Sequence, residues 1–176
     1  RRRAAYGTSE AILYRTHRDK KKSFLIPLWA GLSFLTIVLA ILLLNLYPLA
    51  AVPILFGIDL FRKPHRPGRT WQGTLREYLS FYYFSSFHLV RYYLILLVAF
   101  GVLFHPVWFL SAFMLLLTSI IDYAVKRPRL FYPVYLFFYT LEHLAYQIGV
   151  FWGCLKLMYF GSYLPVFTRK SEHPSL

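Results

Sequence analysis

Apolar and polar positions fall along this chain in long blocks. The longest apolar block, Phe24 to Phe61, holds a single charged side chain, Asp59, near its far end. Its roughly 38 residues make about 57 Å of helix, close to twice the ~30 Å hydrocarbon thickness of a bilayer. The block contains its own break at Asn45-Leu46-Tyr47-Pro48, where the proline removes a backbone donor and biases Tyr47 out of the helical region. The pattern predicts a helical hairpin over 23–62, crossing at about 24–44 and returning at about 48–62. One long helix is the alternative.

After a loop broken by Pro64, Pro67 and Gly68, Trp71, Leu75, Tyr78, Leu79 and Tyr82 follow helical spacing behind a capping Thr70 or Thr74. The stretch 63–86 therefore reads as a basic loop and an interfacial helix. From Phe87 to Phe104 the residues are apolar enough to cross, with His88 and Arg91 near the entry, where their stems can snorkel to the membrane edge. His105-Pro106 turns the chain, and about 107–125 predicts another crossing, so that 87–126 forms a second hairpin. Asp122 and Lys126 are spaced as an i,i+4 pair.

The region 127–168 is two-faced. One helical face collects Leu141, Leu144, Ile148, Phe151 and Leu155, and the other collects Glu142, His143, Tyr146, Gln147, Gly149, Gly153, Cys154 and Lys156. A crossing there takes Glu142 or Lys156 into hydrocarbon at ~2.5–3.5 kcal/mol for a central charge, which a helix lying in the interface avoids. An interfacial amphipathic helix is the expectation and a fifth crossing the alternative. The tail, 169–176, is polar. The expected fold class is an all-α membrane protein, with about four transmembrane helices in two hairpins and amphipathic interfacial helices between them.

Composition strengthens the membrane reading: 58% of the 176 residues are hydrophobic, 20% aromatic and only 15% charged, outside the usual range of soluble domains. The net charge of +13 matters through its placement. Basic residues gather at 1–22, 62–76 and 126–129, while the turns at 45–48 and 102–106 contain no Lys or Arg. Four crossings then satisfy the positive-inside rule at each connection, putting the basic loops and both termini on the cytoplasmic side of the cell membrane. Within 1–22, Ala4, Ala5, Ala11, Ile12 and Leu13 allow a short amphipathic helix on the bilayer surface, and a solvated juxtamembrane linker accounts for the same charges. Because the basic residues keep to membrane edges, nucleic-acid binding is a poor explanation of them.

Candidate chemistry is sparse. The lone Cys154 excludes an internal disulfide framework, and His65, His88, His105 and His143 share no metal-ligand spacing. No P-loop, GxGxxG, HExxH or nucleophile elbow is present. Glu142 and His143 are adjacent and so point about 100° apart on a helix, an unsuitable catalytic dyad. Gly149 and Gly153 form a small-xxx-small pair that admits close approach of another helix or a soluble domain, or keeps one face thin between crossings. The chain starts with a basic block at Arg1 and has no soluble stretch large enough for a catalytic core, so it reads as a segment of a longer protein and is expected to be inactive alone.

The opening RRRAAYGTSEAILYRTH, the membrane hairpin and the later EHLAYQIGVFWGCLK together resemble the C-terminal part of membrane-bound family 2 glycosyltransferases, and within them most nearly the mycofactocin-system glycosyltransferases. The motifs are Tyr6-Gly7-Thr8-Ser9 and Leu144-Ala145-Tyr146 with Gly149 and Gly153; elsewhere the likeness is one of hydropathy. The resemblance implies an upstream cytoplasmic GT-A domain with a nucleotide-sugar donor, a divalent metal (Mg or Mn) and a glycosyl acceptor at the cytoplasmic membrane face. In processive relatives a Q-x-x-R-W motif leads into the membrane. Aligned on Gly7, Arg3 takes the arginine position and Ala4 the tryptophan position, so the aromatic platform is missing. Arg3, Tyr6, Thr8 and Ser9 are then expected to contact the donor diphosphate or the acceptor, unless Tyr6 to Ser9 simply turns the chain between helices. A small non-enzymatic membrane protein, a scaffold or a transporter subunit, is the alternative function; the few polar residues in the crossings, such as Ser33, Thr36, Ser111, Thr118 and Ser119, offer little of a substrate pathway.

Overall fold

The computed structural model describes residues 2–17, 23–62, 70–164 and 166–168. Among these the chain is almost entirely helical: α1 (Arg2–Thr16), α2 (Leu28–Leu42), α3 (Ala51–Arg62), α4 (Trp71–Phe100), α5 (Pro106–Lys126) and α6 (Tyr132–Leu157). Two three-residue strands, β1 (Ser23–Leu25) and β2 (Val166–Thr168), pair in parallel and tie the entry of α2 to the end of the described chain.

The boundaries follow from local chemistry. Pro27 occupies the N-cap position of α2 in an extended conformation. After α2, Leu44 turns left-handed (φ 49°), Asn45 Oδ1 accepts from the Tyr47 backbone N–H at 2.9 Å, and Pro48 starts the short 3-10 turn that leads into α3. Thr70 caps α4, its hydroxyl accepting from the Gly73 N–H at 3.2 Å. At the α4–α5 turn, Gly101 leaves room for the Trp108 ring where any Cβ would collide with it, and the indole N–H donates to the Val98 carbonyl at 2.9 Å. Left-handed Arg127 and Met158 end α5 and α6.

Two of these helices, α4 with 30 residues and α5 with 21, are long and apolar enough to cross a membrane. The expected first hairpin is shorter than the sequence pattern suggested. With 15 and 12 residues, α2 and α3 reach only about 22 and 18 Å, because Pro27, the Asn45 turn and Pro48 clip their ends. Nor does α4 break near residue 86 between an interfacial and a crossing half: no proline or glycine falls between Gly73 and Gly101, and the helix is continuous. The loop at 63–69, including His65, and the tail 169–176 lie outside the described residues.

Two apolar clusters hold the helices. Val90, Leu94, Leu110 and Met114 join α4 to α5, with Phe34, Val38 and Ile41 of α2 packed on them. Ala11, Tyr92, Tyr146, Val150 and Cys154 join α1, α4 and α6. Between them polarity is inverted relative to a water-soluble bundle. On α5 the fully or nearly buried residues include Ser111, Thr118, Ser119 and Asp122, while Phe109 and Ile120 are exposed. On α6 His143, Tyr146 and Gln147 are buried, while Leu141, Ile148 and Phe151 are exposed. The polar face of α6 is therefore turned into the protein, not towards water as an isolated interfacial helix would place it, because its side chains find hydrogen-bond and helix partners on α1 and α4.

Candidate functional site

The polar seam begins where α1 lies on α6. Ala4 sits against Gly149, and Thr8 and Ala11 sit against Gly153, so the two helices run in the same direction. Their backbones are in direct contact: a Cβ on Gly149 would overlap the Ala4 carbonyl, and one on Gly7 would overlap the Tyr146 carbonyl oxygen and the Val150 nitrogen. At Gly153 the nearest atoms are the Ala11 Cβ at 2.9 Å and the Thr8 Cα and O at 3.0 Å. Thr8 Oγ1 donates within its own helix to the Ala4 carbonyl (3.1 Å) and lies 3.2 Å from the Gly149 carbonyl across the seam. The buried face of α1 is Gly7, Ala11 and Tyr14. The short helix within 1–22 rests on α6, since its smallest residues match the glycines opposite. Ile12 and Leu13 remain exposed.

The residues named from the sequence are distributed over this helix. Arg3 forms an ion pair with Glu142 at 2.9 Å, with both side chains about half exposed. Tyr6 is exposed, and Ser9, also exposed, donates to the Ala5 carbonyl at 3.0 Å. Tyr6 to Ser9 is helical throughout, so it does not turn the chain. Arg3 lies on the side of α1 engaged with α6; Thr8 faces the seam; Tyr6 points away from it. On the far side of the seam Tyr92 donates to the Glu10 carboxylate.

Deeper in the bundle, α4, α5 and α6 share a second polar cluster. Asp122 of α5 accepts from Tyr83 and from Lys126, each at 2.6 Å, the latter being the pair its spacing predicts. Ser119 and Tyr132 hydroxyls are 3.0 Å apart. The His143 ring is edge-on to Tyr139 (4.5 Å between centroids) and to Phe87 (5.4 Å). Burial, and after it the Arg91 cation, lowers the His143 pKa from 6.5 to about 4, so the imidazole is neutral near pH 7. Arg91 places its guanidinium 3.8 Å from the centroid of the Tyr146 ring and 5.6 Å from that of Phe87. It is folded against α6 rather than extended along α4.

Gln147 is the site residue that sequence reasoning did not single out. Its amide clamps the middle of α4: Nε2 donates to the Val90 carbonyl at 2.6 Å and Oε1 accepts from the Ile95 N–H at 2.9 Å. The signal was a neutral amide beside Gly149 on the polar face of α6. What it bonds to is visible only once α6 is laid across α4. Among the described residues no group of three or more His, Cys, Asp or Glu side chains is arranged to hold a metal. Comparison with known proteins finds no matching family model, curated protein or solved structure.

Proposed function

We propose that this chain is the membrane-anchoring C-terminal part of a glycosyltransferase that moves a sugar from a nucleotide donor to an acceptor at the cytoplasmic membrane face. One observation carries the reading. The two short motifs behind the resemblance to family 2 glycosyltransferases, separated by well over a hundred residues, are packed on each other: Gly7 and Thr8 lie against Tyr146, Gly149 and Gly153. A helix that continues from an upstream domain would be fixed to the membrane bundle at this seam, leaving Tyr6 and Ser9 on its outer side. In this reading the bundle crosses the membrane four times, with the basic segments cytoplasmic and α6 in the interfacial layer. The inverted polarity of α5 supports a membrane setting, because lipid-facing surfaces are apolar and polar groups must be satisfied inside.

Sugar transfer is the test. Residues 1–176 alone are expected to be inactive, whereas a longer protein carrying an upstream Asp-x-Asp domain should transfer sugar. In that protein Arg3→Ala should reduce transfer more than Arg15→Ala, since only Arg3 ties α1 to Glu142. Equal losses would reduce Arg3 to one charge among many. Activity in the isolated segment would overturn the assignment. Topology is tested with cysteine labels near position 171 after replacing Cys154; labelling from outside the cell would contradict four crossings.

A further inference from the structure

The stretch of α4 from Val90 to Ile95 is held from outside at nearly every residue. The Val90 carbonyl accepts from Gln147 Nε2 at 2.6 Å, and the Ile95 N–H donates to Gln147 Oε1 at 2.9 Å. Between these two points the Arg91 guanidinium lies on the Tyr146 ring and the Tyr92 hydroxyl donates to Glu10 of α1. The Tyr93 hydroxyl donates to the carbonyl of Tyr163, in the 3-10 turn Gly161–Tyr163 that follows α6.

The Gln147 contacts differ in kind from the others. Inside an α-helix each N–H is directed at the carbonyl four residues back, so the Ile95 hydrogen is aimed at Arg91. Gln147 instead joins a carbonyl and an N–H that stand five positions apart, the step of a π-turn. Its oxygen competes with the Arg91 carbonyl for the single Ile95 hydrogen, and a side chain that enters the ladder in this way marks where a helix bends or opens. No proline or glycine between Gly73 and Gly101 supplies another such point. The soft point of α4 is therefore set by α6, and it is controlled by whatever moves α6.

Helix α6 is itself tied to α1. The Tyr146 carbonyl lies against Gly7 while its ring covers Arg91, and Gly149, two residues beyond Gln147, meets Ala4. One short segment of α6, Tyr146 to Gly149, thus touches α1 with its main chain and α4 with its side chains. Beyond Ile95, the Val98 carbonyl accepts from the Trp108 indole and Gly101 seats the same ring, so the far end of α4 and the start of α5 move together.

We infer that Val90 to Ile95 is a hinge in α4, that Gln147 is its latch, and that a shift of α1 on α6 is passed through Tyr146 and Gln147 to the α4–α5 end of the bundle. With the amide in place the hinge is fixed; with the amide withdrawn the turn opens and closes freely, and the far end of α4 moves relative to its first half. The inference uses only the packing of α1, α4 and α6 and is independent of the sugar-transfer reading.

Site-resolved hydrogen–deuterium exchange of the whole chain in detergent tests it, with the Leu79 amide in the first half of α4 as reference. Gln147→Met keeps a similar volume and neither hydrogen bond, and it should speed exchange at Ile95 about tenfold relative to Leu79, the order of one buried hydrogen bond. Gly149→Ala, whose new methyl meets Ala4, should also speed Ile95 relative to Leu79, and should add little to that difference in a Gln147→Met background. Gln147→Asn, an amide too short to span both groups, should act in the same direction and serves where the methionine variant does not fold. Equal acceleration at Ile95 and Leu79 in the Gln147 variants would overturn the hinge. An undiminished effect of Gly149→Ala in the double variant would overturn the latch.

Discussion

Adding one methyl group at Gly149 tests whether the α1–α6 seam is as tight as its geometry requires. In a helix interior, Gly→Ala returns about 0.8–1 kcal/mol of backbone propensity. At Gly149 the new Cβ runs into the carbonyl carbon, oxygen and Cα of Ala4, all main-chain atoms, so no side chain can swing aside. Helix α1 must move as a body. Overpacking of this kind costs about 1–3 kcal/mol, and displacing α1 also stretches the 3.2 Å contact between Thr8 Oγ1 and the Gly149 carbonyl, worth about 0.5–1.5 kcal/mol. The losses exceed the gain, and Gly149→Ala should destabilise the protein by about 1–3 kcal/mol. Gly153→Ala, with its nearest neighbours at 2.9–3.0 Å, should cost less, because a shift of a few tenths of an ångström relieves it. Gly57 provides the opposite sign: nothing lies within 4 Å of its would-be Cβ, so Gly57→Ala should stabilise by up to ~1 kcal/mol. Equilibrium unfolding of the three variants in one detergent gives the comparison. If Gly149→Ala and Gly57→Ala shift stability in the same direction, α1 is not packed against α6 as described.

Two further outcomes probe the deeper cluster. Gln147→Leu removes both hydrogen bonds to α4 and leaves buried backbone groups of Val90 and Ile95 without that partner, so unfolding in detergent should show a loss of about 1–3 kcal/mol and hydrogen exchange at the Ile95 amide should speed up. His143 is neutral in the folded protein down to about pH 4, whereas the unfolded chain takes up a proton near 6.5. Stability is therefore complete above pH 6.5 and should fall by about 3 kcal/mol as pH drops from 6.5 to 4. His143→Phe should flatten this part of the pH profile, and an unchanged profile would show that another group sets it.

Where the sequence was legible, the signal was local. Asn45 and Pro48 mark a turn through a side-chain hydrogen bond and a missing N–H, and Asp122 with Lys126 pair through one helical turn; both can be read from spacing alone. Lengths were less secure. Hydropathy counts Phe24 to Leu44 as one crossing, but Pro27 at the N-cap and left-handed Leu44 confine α2 to 15 residues. Conversely, the aromatic, polar-tipped stretch before Phe87 and the apolar stretch after it form one helix, because a change in the character of side chains does not interrupt backbone hydrogen bonding.

The polar face of α6 is the more instructive case, since its residues were identified and their surroundings were not. An amphipathic pattern states that a helix has two environments; it does not say which of them is water. Setting Glu142 and Lys156 against hydrocarbon made the interface the natural place for α6, with a fifth crossing as the alternative. In the folded chain Glu142 meets Arg3, Gln147 enters the α4 ladder, and Gly149 and Gly153 admit α1. These partners lie some 50 to 150 residues away, so no window along the chain contains them. Glu142, Gln147, Gly149 and Gly153 are the groups that hold α1 and α4 to α6, which is why the exposed side of α6 is the apolar one.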